Sequence, residues 1–269
     1  GAGGSIGTEI CRQLLKLKPK KVICIDISEA SIYKIEQEFN KIETEIIYFI
    51  DDIKNIKRID KIFDTNDIDI IFHAAAYKHV PLLEDNNVES AIKNNVFGTK
   101  VISDLAIKYK VQKFVYISTD KAVNPKGVMG QTKRLAELIC QNHQNNNSTT
   151  LFLIVRFGNV LNSSGSVIPK FREQIANGGP VTVTHKDITR YFMSISEAAQ
   201  LVIKATLLSK GKEIYVLEMG EPIKIIDLAN QMINLSGFNK DEIDIVFTGL
   251  RSGEKLYEEL LYNEETTVK

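Results

Sequence analysis

Gly1-Ala-Gly-Gly4-Ser-Ile-Gly7 runs straight into a stretch with Ile6, Ile10, Leu14 and Leu17 at helical spacing, so a glycine turn opens an amphipathic helix. The run after it, Lys21-Val-Ile-Cys-Ile-Asp26, is almost wholly apolar and reads as a buried strand. Outward from this pair the alternation repeats. Helices are expected over Ser31–Asn40 (Ile32, Ile35 and Phe39 on one face), around Ile56–Phe63, over Asn86–Lys110 as one long rod, and over Val128–Gln144. Strands are expected at Glu45–Ile50, Ile68–His73, Lys113–Ser118 and Leu151–Phe157. Strands separated by helices give a parallel sheet with right-handed crossovers, covered on both faces. The fold class is therefore α/β, a doubly wound Rossmann-type sheet over residues 1–160.

After Asn159 the rhythm changes to a Gly/Ser/Asn loop, a helix through Asn177 and a short strand at Val181–Thr184. A helix near 196–209 is expected to return to the sheet. Strand Glu213–Leu217, helix Ile225–Ser236 and strand Ile243–Phe247 are expected to form a small C-terminal α/β lobe within 161–269 that binds substrate. The polar tract 141–150 reads as a helix end and a solvated loop.

The chain has 269 residues, with 34 Lys+Arg balancing 34 Asp+Glu, 43% apolar and 25% charged residues. Zero net charge excludes a general polyanion binder, so no nucleic-acid partner is expected. Three dispersed cysteines and four histidines without ligand spacing fit a reducing compartment and no metal. No apolar run is long enough to span a bilayer, so no membrane contact is expected from this stretch.

Glycines at 1, 4 and 7 let backbone N–H groups and a helix N-terminus approach a pyrophosphate, with Ser5 and Ile6 beside it. Asp26, at a strand end 19 positions beyond Gly7, suits the hydroxyls of an adenosine ribose and repels a 2′-phosphate, so NAD is expected over NADP. Asp52, with Ile53 next to it, suits the adenine amino group; a helix N-cap is the plain alternative for either aspartate. In such sheets the glycine turn follows a central first strand, and nothing precedes Gly1. The expectation is an internal fragment of a longer chain whose first strand lies outside it.

The glycine spacing resembles the short-chain dehydrogenase/reductase superfamily, where a Tyr and a Lys stand at i and i+4 on one helix. Here Met129 precedes Lys133 by four, and a thioether has no proton to exchange. Ala74-Ala-Ala-Tyr-Lys-His-Val-Pro81 with Glu84, Ser118-Thr-Asp-Lys121, Asn124-Pro125, Met129-Gly-x-Thr-Lys133, Arg156-Phe-Gly-Asn-Val160, Gly165-Ser-Val-Ile-Pro169, Thr189-Arg-Tyr-Phe-Met193 and Gly249-Leu-Arg-Ser-Gly-Glu-Lys255 follow one another along the chain. Together they resemble the polysaccharide-biosynthesis (CapD-like) nucleotide-sugar 4,6-dehydratases of the extended superfamily. Met in place of Tyr resembles the membrane-anchored branch acting on UDP-N-acetylglucosamine; Ser252 departs from a position where the family often has Pro.

The resemblance implies a hydro-lyase that makes a 4-keto-6-deoxy sugar from a UDP-N-acetylhexosamine through an internal NAD redox cycle. It implies Asp120 as acid for the C6 oxygen and Lys121 as base at C5, the latter needing a pKa lowered by burial and by the cofactor's positive charge. Thr119 is a candidate for the C4 hydroxyl, and Lys133 for the nicotinamide ribose, with Ala74, Ala75 and Ala76 along the cofactor. Arg156, Arg190 and Arg251 are the expected diphosphate contacts; Lys78, His79, Asn159, Val167 and Glu254 complete the substrate pocket. A cytoplasmic enzyme is implied, at the cytoplasmic face of the inner membrane where a full-length chain carries an anchor, with homo-oligomers through the long helices. A nucleotide-sugar 4-epimerase and a non-catalytic NAD-binding remnant or sensor are the alternatives.

Overall fold

The computed structural model describes residues 1–146, 149–239 and 241–262. Residues 147 and 148 of the polar tract and 263–269 of the expected lobe lie outside the described residues.

The glycine turn leads into α1 (Ser5–Lys16), followed by β1 (Lys21–Asp26), α2 (Glu29–Phe39), β2 (Glu45–Ile50), α3 (Ile56–Asp64) and β3 (Ile70–His73). The long rod expected next is broken: α4 (Val80–Leu83) and a single 3₁₀ turn precede α5 (Val88–Ala91), a π-helical stretch Ile92–Phe97 and α6 (Gly98–Lys108). The extra residue per turn in that stretch puts Asn95 inside, wholly buried. Its carboxamide accepts from the Tyr77 N–H (2.8 Å) and donates to the Tyr77 carbonyl (3.0 Å) and to Thr132 Oγ1 (3.0 Å). That side chain fixes the loop after β3 relative to the helix that carries Met129 and Lys133.

The chain continues through β4 (Lys113–Ile117), α7 (Val128–Asn146), β5 (Leu151–Arg156), β6 (Asn159–Val160), α8 (Val167–Ala176), β7 (Val181–Val183), β8 (Thr189–Arg190) and β9 (Phe192–Met193). Then come α9 (Ile195–Leu208), β10 (Ile214–Val216), β11 (Ile223–Lys224), α10 (Ile225–Leu235) and β12 (Ile245–Phe247). The main sheet has the order β10-β5-β4-β3, all parallel, and β1 pairs in parallel with β2 as a separate ribbon. Gly1 lies between the carboxyl ends of β1 and β3, close to the Ile25 carbonyl and the Ala75 N–H.

The period-2 rule shows directly in β4 and β5. Phe114, Tyr116, Phe152 and Ile154 face a core with α3, α6 and α7, whereas Val115, Ile117, Leu153 and Val155 face one with α1 and α9. Both faces are covered, as near-continuous apolar strands require. α9 packs against α1 on one face of the main sheet. The strand at 213–217 does not belong to the C-terminal lobe: β10 pairs with β5 as an edge of the main sheet, because α9 is a crossover that delivers it there. The lobe itself is built by α8, α10 and the parallel β7–β12 pair around Phe171, Ile175, Ile188 and Ile233. Among the described residues no helix is long and apolar enough to cross a membrane.

Candidate active site

A cleft of about 830 Å³ opens at the carboxyl ends of β3, β4 and β5, between the glycine turn and the lobe. A smaller hollow of about 220 Å³ shares Gly1, Gly4, Ala74, Ala76 and Tyr77 with it and adds Asp26, Asp52, Ile53 and Ala75.

The turn is built for close backbone approach. A Cβ on Gly7 would fall on the Gly1 carbonyl oxygen, and one on Gly1 would sit 2.5 Å from the Ala75 nitrogen. Gly4 caps α1 without a side-chain hydrogen bond, and no acidic residue occupies the first turn, so that helix N-terminus faces the cleft as a donor set. Asp26 Oδ2 accepts from Gly3 N–H at 3.0 Å and Oδ1 from Ser28 N–H at 2.9 Å. It is not the cap of α2, a role that Ser28 fills, and Asn55 rather than Asp52 caps α3. Asp52 instead accepts from the Lys54 N–H and pairs with its ammonium at 2.8 Å. A donor-lined turn, a partly buried pair of aspartates and a small apolar wall fit a dinucleotide.

In the cleft, Lys133 and Met129 stand one turn apart on α7, both buried. Lys133 Nζ donates to the Ile117 carbonyl at 2.8 Å and lies 4.8 Å above the Tyr116 ring. Burial pushes its ammonium down to about 8, against the pull of Glu137 and Cys140. Met129 packs on Leu83 and Ala91.

Lys121 Nζ lies 3.0 Å from Asp120 Oδ1, 3.1 Å from Asn159 Oδ1 and 3.6 Å from Glu258 Oε1. Burial alone would lower its pKa, but the Asp120 and Glu258 carboxylates outweigh that and hold it above the ordinary lysine value. The lowered pKa expected from burial is therefore not found; two anions override it. Asp120 is fully buried and does not line the cleft. Its Oδ1 accepts from Thr119 Oγ1 (2.8 Å), and its Oδ2 has no hydrogen-bond partner among the described residues and lies 3.1 Å from where a Gly158 Cβ would stand. Thr119, Lys121, Gly158 and Asn159 do line it.

The three arginines do not converge as expected. Arg156 is fully buried and takes no part in the cleft: its guanidinium is bound fork to fork by Glu137. Arg190 reaches the cleft wall, yet its donors go to the carbonyls of Thr189 (2.7 Å), Lys255 (2.8 Å) and Leu256 (3.2 Å), tying down the chain around 254–258. Arg251 keeps a side chain that is 49% exposed at the cleft mouth, with Glu254 beside it. Lys78, His79 and Val167 line the same cleft, Lys78 touching Ser163 Oγ at 3.4 Å.

Sequence reasoning missed Asn95, Glu137 and Glu258. Glu137 lies one turn after Lys133, a spacing that places it under the same strand ends. Glu84, seen only as part of a motif, accepts from the Val128 N–H at 2.8 Å and is wedged between Gly127 and Gly253.

The capsular polysaccharide biosynthesis protein CapD of Staphylococcus aureus is 53% identical over 268 residues, which are 98% of this chain and 45% of that protein. The chain thus spans about half the length of that relative. UDP-glucose 4-epimerase of Rickettsia rickettsii is 35% identical (98% of this chain, 77% of that one), and the inverting UDP-N-acetylglucosamine 4,6-dehydratase of Campylobacter jejuni is 32% identical (99% and 77%). Among solved structures, Pen from Bacillus thuringiensis superposes with a TM-score of 0.91 at 38% identity, covering 98% of this chain and 82% of that one. The family model described as polysaccharide biosynthesis protein matches residues 1–269, and the chain belongs to that family.

Proposed function

We propose that the chain is the catalytic part of a UDP-N-acetylhexosamine 4,6-dehydratase, with UDP-N-acetylglucosamine the expected substrate and NAD the cofactor. The observation that carries this reading is one cleft in which Lys121, backed by Asp120, faces Lys133 and Met129 below the glycine turn. A reversible C4 oxidation needs one base at the C4 hydroxyl and no further acid/base pair, whereas loss of water across C5–C6 needs a base at C5 and an acid at the C6 oxygen as well. Bound NAD would supply the hydride chemistry at C4 and C6. The glycine turn and the α1 N-terminus would hold its pyrophosphate, Asp26 its adenosine ribose, and Lys133 its nicotinamide ribose.

Lys121, as the neutral amine, takes the C5 proton once C4 is a ketone. The resulting ammonium lies 3.0 Å from Asp120 Oδ1 and passes that proton to it. Asp120 returns it toward the C6 oxygen, directly past Gly158 or through the Thr119 hydroxyl, and water leaves. Asn159 holds Lys121 in place. Arg251, Lys78 and the α8 N-terminus at Val167 would face the diphosphate, a role withdrawn from Arg156.

The test is conversion of UDP-N-acetylglucosamine in deuterated water. A 4-keto-6-deoxy product with solvent deuterium at C5, lost in Lys121→Ala while NAD stays bound, is the expected result. A C4 epimer with no keto product would instead identify the epimerase suggested by the Rickettsia relatives, and NAD binding with no turnover would identify a sensor.

A further inference from the structure

Two carboxylates, not one, flank the Lys121 ammonium. Asp120 comes from the end of β4 and Glu258 from the segment after the lobe, with Oε1 3.6 Å from Nζ. Glu258 has a side chain only 3% exposed and lines the cleft. Its Oε2 is buried with no hydrogen-bond partner among the described residues. Two cations pair with Oε1, Lys121 at 3.6 Å and Arg190 at 3.8 Å, and neither donates to Oε2. Arg190 spends its other nitrogens on carbonyls, and Lys255 Nζ is turned to the Val123 carbonyl (2.7 Å) and Glu259 (3.2 Å). A buried carboxylate oxygen without a donor is costly as an anion and is relieved by taking a proton.

We propose that Glu258 is a positioning residue that acts through Lys121 by holding the proton that Lys121 must shed to become a base. The inference rests on the dehydratase reading given above. The transfer is Lys121 ammonium plus Glu258 carboxylate to Lys121 amine plus Glu258 carboxylic acid, with no net proton taken from or lost to solvent. Lys121 then takes the C5 proton and passes it to Asp120, which delivers it to the departing C6 oxygen. The C4 hydroxyl proton is released to solvent and a solvent proton is taken up at C5 in the product, so the count closes, the Lys121–Asp120 pair ends as it began and Glu258 keeps its proton throughout. Burial and the nearby Asp120 raise the Glu258 carboxyl, against the pull of Lys121, Arg190 and Lys255, in the direction this role needs.

Because the exchange is internal, the fraction of neutral Lys121 does not depend on pH while the cluster's total proton count is constant. Lys121 is therefore expected to add no pH dependence to dehydration between about pH 6.5 and about 8.5. Lys133, lowered to about 8, titrates alike in every variant, so each profile is the ratio of variant to unaltered protein, and a flat profile is one flat in that ratio. If Glu258 and not Asp120 holds that proton before the reaction, Glu258→Gln leaves Lys121 to lose it to solvent, and the rate should be depressed near neutrality and climb by about tenfold per pH unit. A proton held by Asp120 instead would leave the variant's profile parallel to that of the unaltered protein. Glu258→Asp should restore part of the flat profile. A Glu258→Gln profile that is flat, whether scaled or not, overturns the proposal.

A second arm does not depend on turnover: the pH midpoint for acylation of Lys121, read by peptide mass spectrometry. Loss of the neighbouring anion should move that midpoint down in Glu258→Gln, and an unmoved midpoint overturns the coupling. If the unaltered protein makes no keto sugar, the dehydratase reading fails by itself, and the acylation midpoint still decides whether Glu258 controls the Lys121 proton.

Discussion

Arg156 and Glu137 face each other as two forks, with Nε to Oε1 and Nη2 to Oε2 both at 2.8 Å and neither side chain exposed. Ser118 Oγ donates to the same Oε1 at 2.6 Å, and Arg134 Nη1 to Oε2 at 2.9 Å. The cluster joins the ends of β4 and β5 to α7, so it sets the height of the strand ends against Lys133.

Arg156→Ala leaves the buried Glu137 carboxylate with Ser118 and Arg134 alone and should cost about 3 kcal/mol of stability, the low end for breaking a buried pair. Glu137→Ala should cost a similar amount. Urea denaturation measures this. UDP binding per folded molecule should change little, and a variant of normal stability with selectively lost UDP affinity would return Arg156 to the diphosphate site.

Asp26 holds the turn through the Gly3 N–H and the following helix through the Ser28 N–H, and still lines the smaller hollow. Asp26→Asn keeps the size and removes the charge that a 2′-phosphate would meet, while its NH2 leaves either the Gly3 or the Ser28 N–H without an acceptor. NAD affinity should fall by about 1.5 kcal/mol, the lower range for a hydrogen bond to a charged group. NADP affinity should stay level or rise, so the preference between the two narrows. Calorimetric titration of both dinucleotides checks this, and an unchanged ratio would remove Asp26 from the ribose site.

Glu84 connects the N-terminus of α7 to the loop that presents Arg251. Glu84→Ala frees the Val128 N–H and opens the space between Gly127 and Gly253. The loss should be about 1 kcal/mol, typical of a missing N-terminal acceptor. Glu84→Gln, which keeps an acceptor oxygen, should recover most of it. Amide hydrogen exchange at Val128 and Gly253 reads the effect locally.

How much of this was legible depends on whether neighbours in sequence or neighbours in space decide a residue's role. The strands and helices from Ser5 to Arg156 follow from the apolar periodicity, because both sheet faces are covered and each element shows its pattern. The exception, the π-helical stretch at Ile92–Phe97, hides in an unbroken helical composition; only the buried Asn95 and its grip on Tyr77 explain it. The cleft lining was readable at the glycine turn and at Thr119–Lys121, where the motif and the strand end coincide. It was not readable for the arginines. A guanidinium at a strand end serves a phosphate or a carboxylate equally well, and the partner of Arg156 lies 19 positions away on α7. The same limit concealed Glu258, which meets Lys121 from 137 positions downstream.

Lys133 offers a test that needs no substrate. Its ammonium is buried and lowered to about 8, whereas in the unfolded chain a lysine titrates near its ordinary 10.5. Between those values the unfolded state binds a proton that the native state lacks, so stability must rise with pH across that window, by up to about 1.4 kcal/mol per unit. Below about 8 both states are charged and this contribution is flat, with the burial penalty fully present. Lys133→Met removes the titration, at the cost of leaving the Ile117 carbonyl without its 2.8 Å donor. The difference in unfolding free energy, unaltered protein minus variant, should therefore grow more positive from about pH 8 to about pH 10 and stay constant below. Denaturant melts of both proteins without added dinucleotide measure it. A difference that is level across the whole range would mean that Lys133 keeps an ordinary ammonium inside the fold, and that the carbonyl at the end of β4 and the ring of Tyr116 solvate the charge as well as water does.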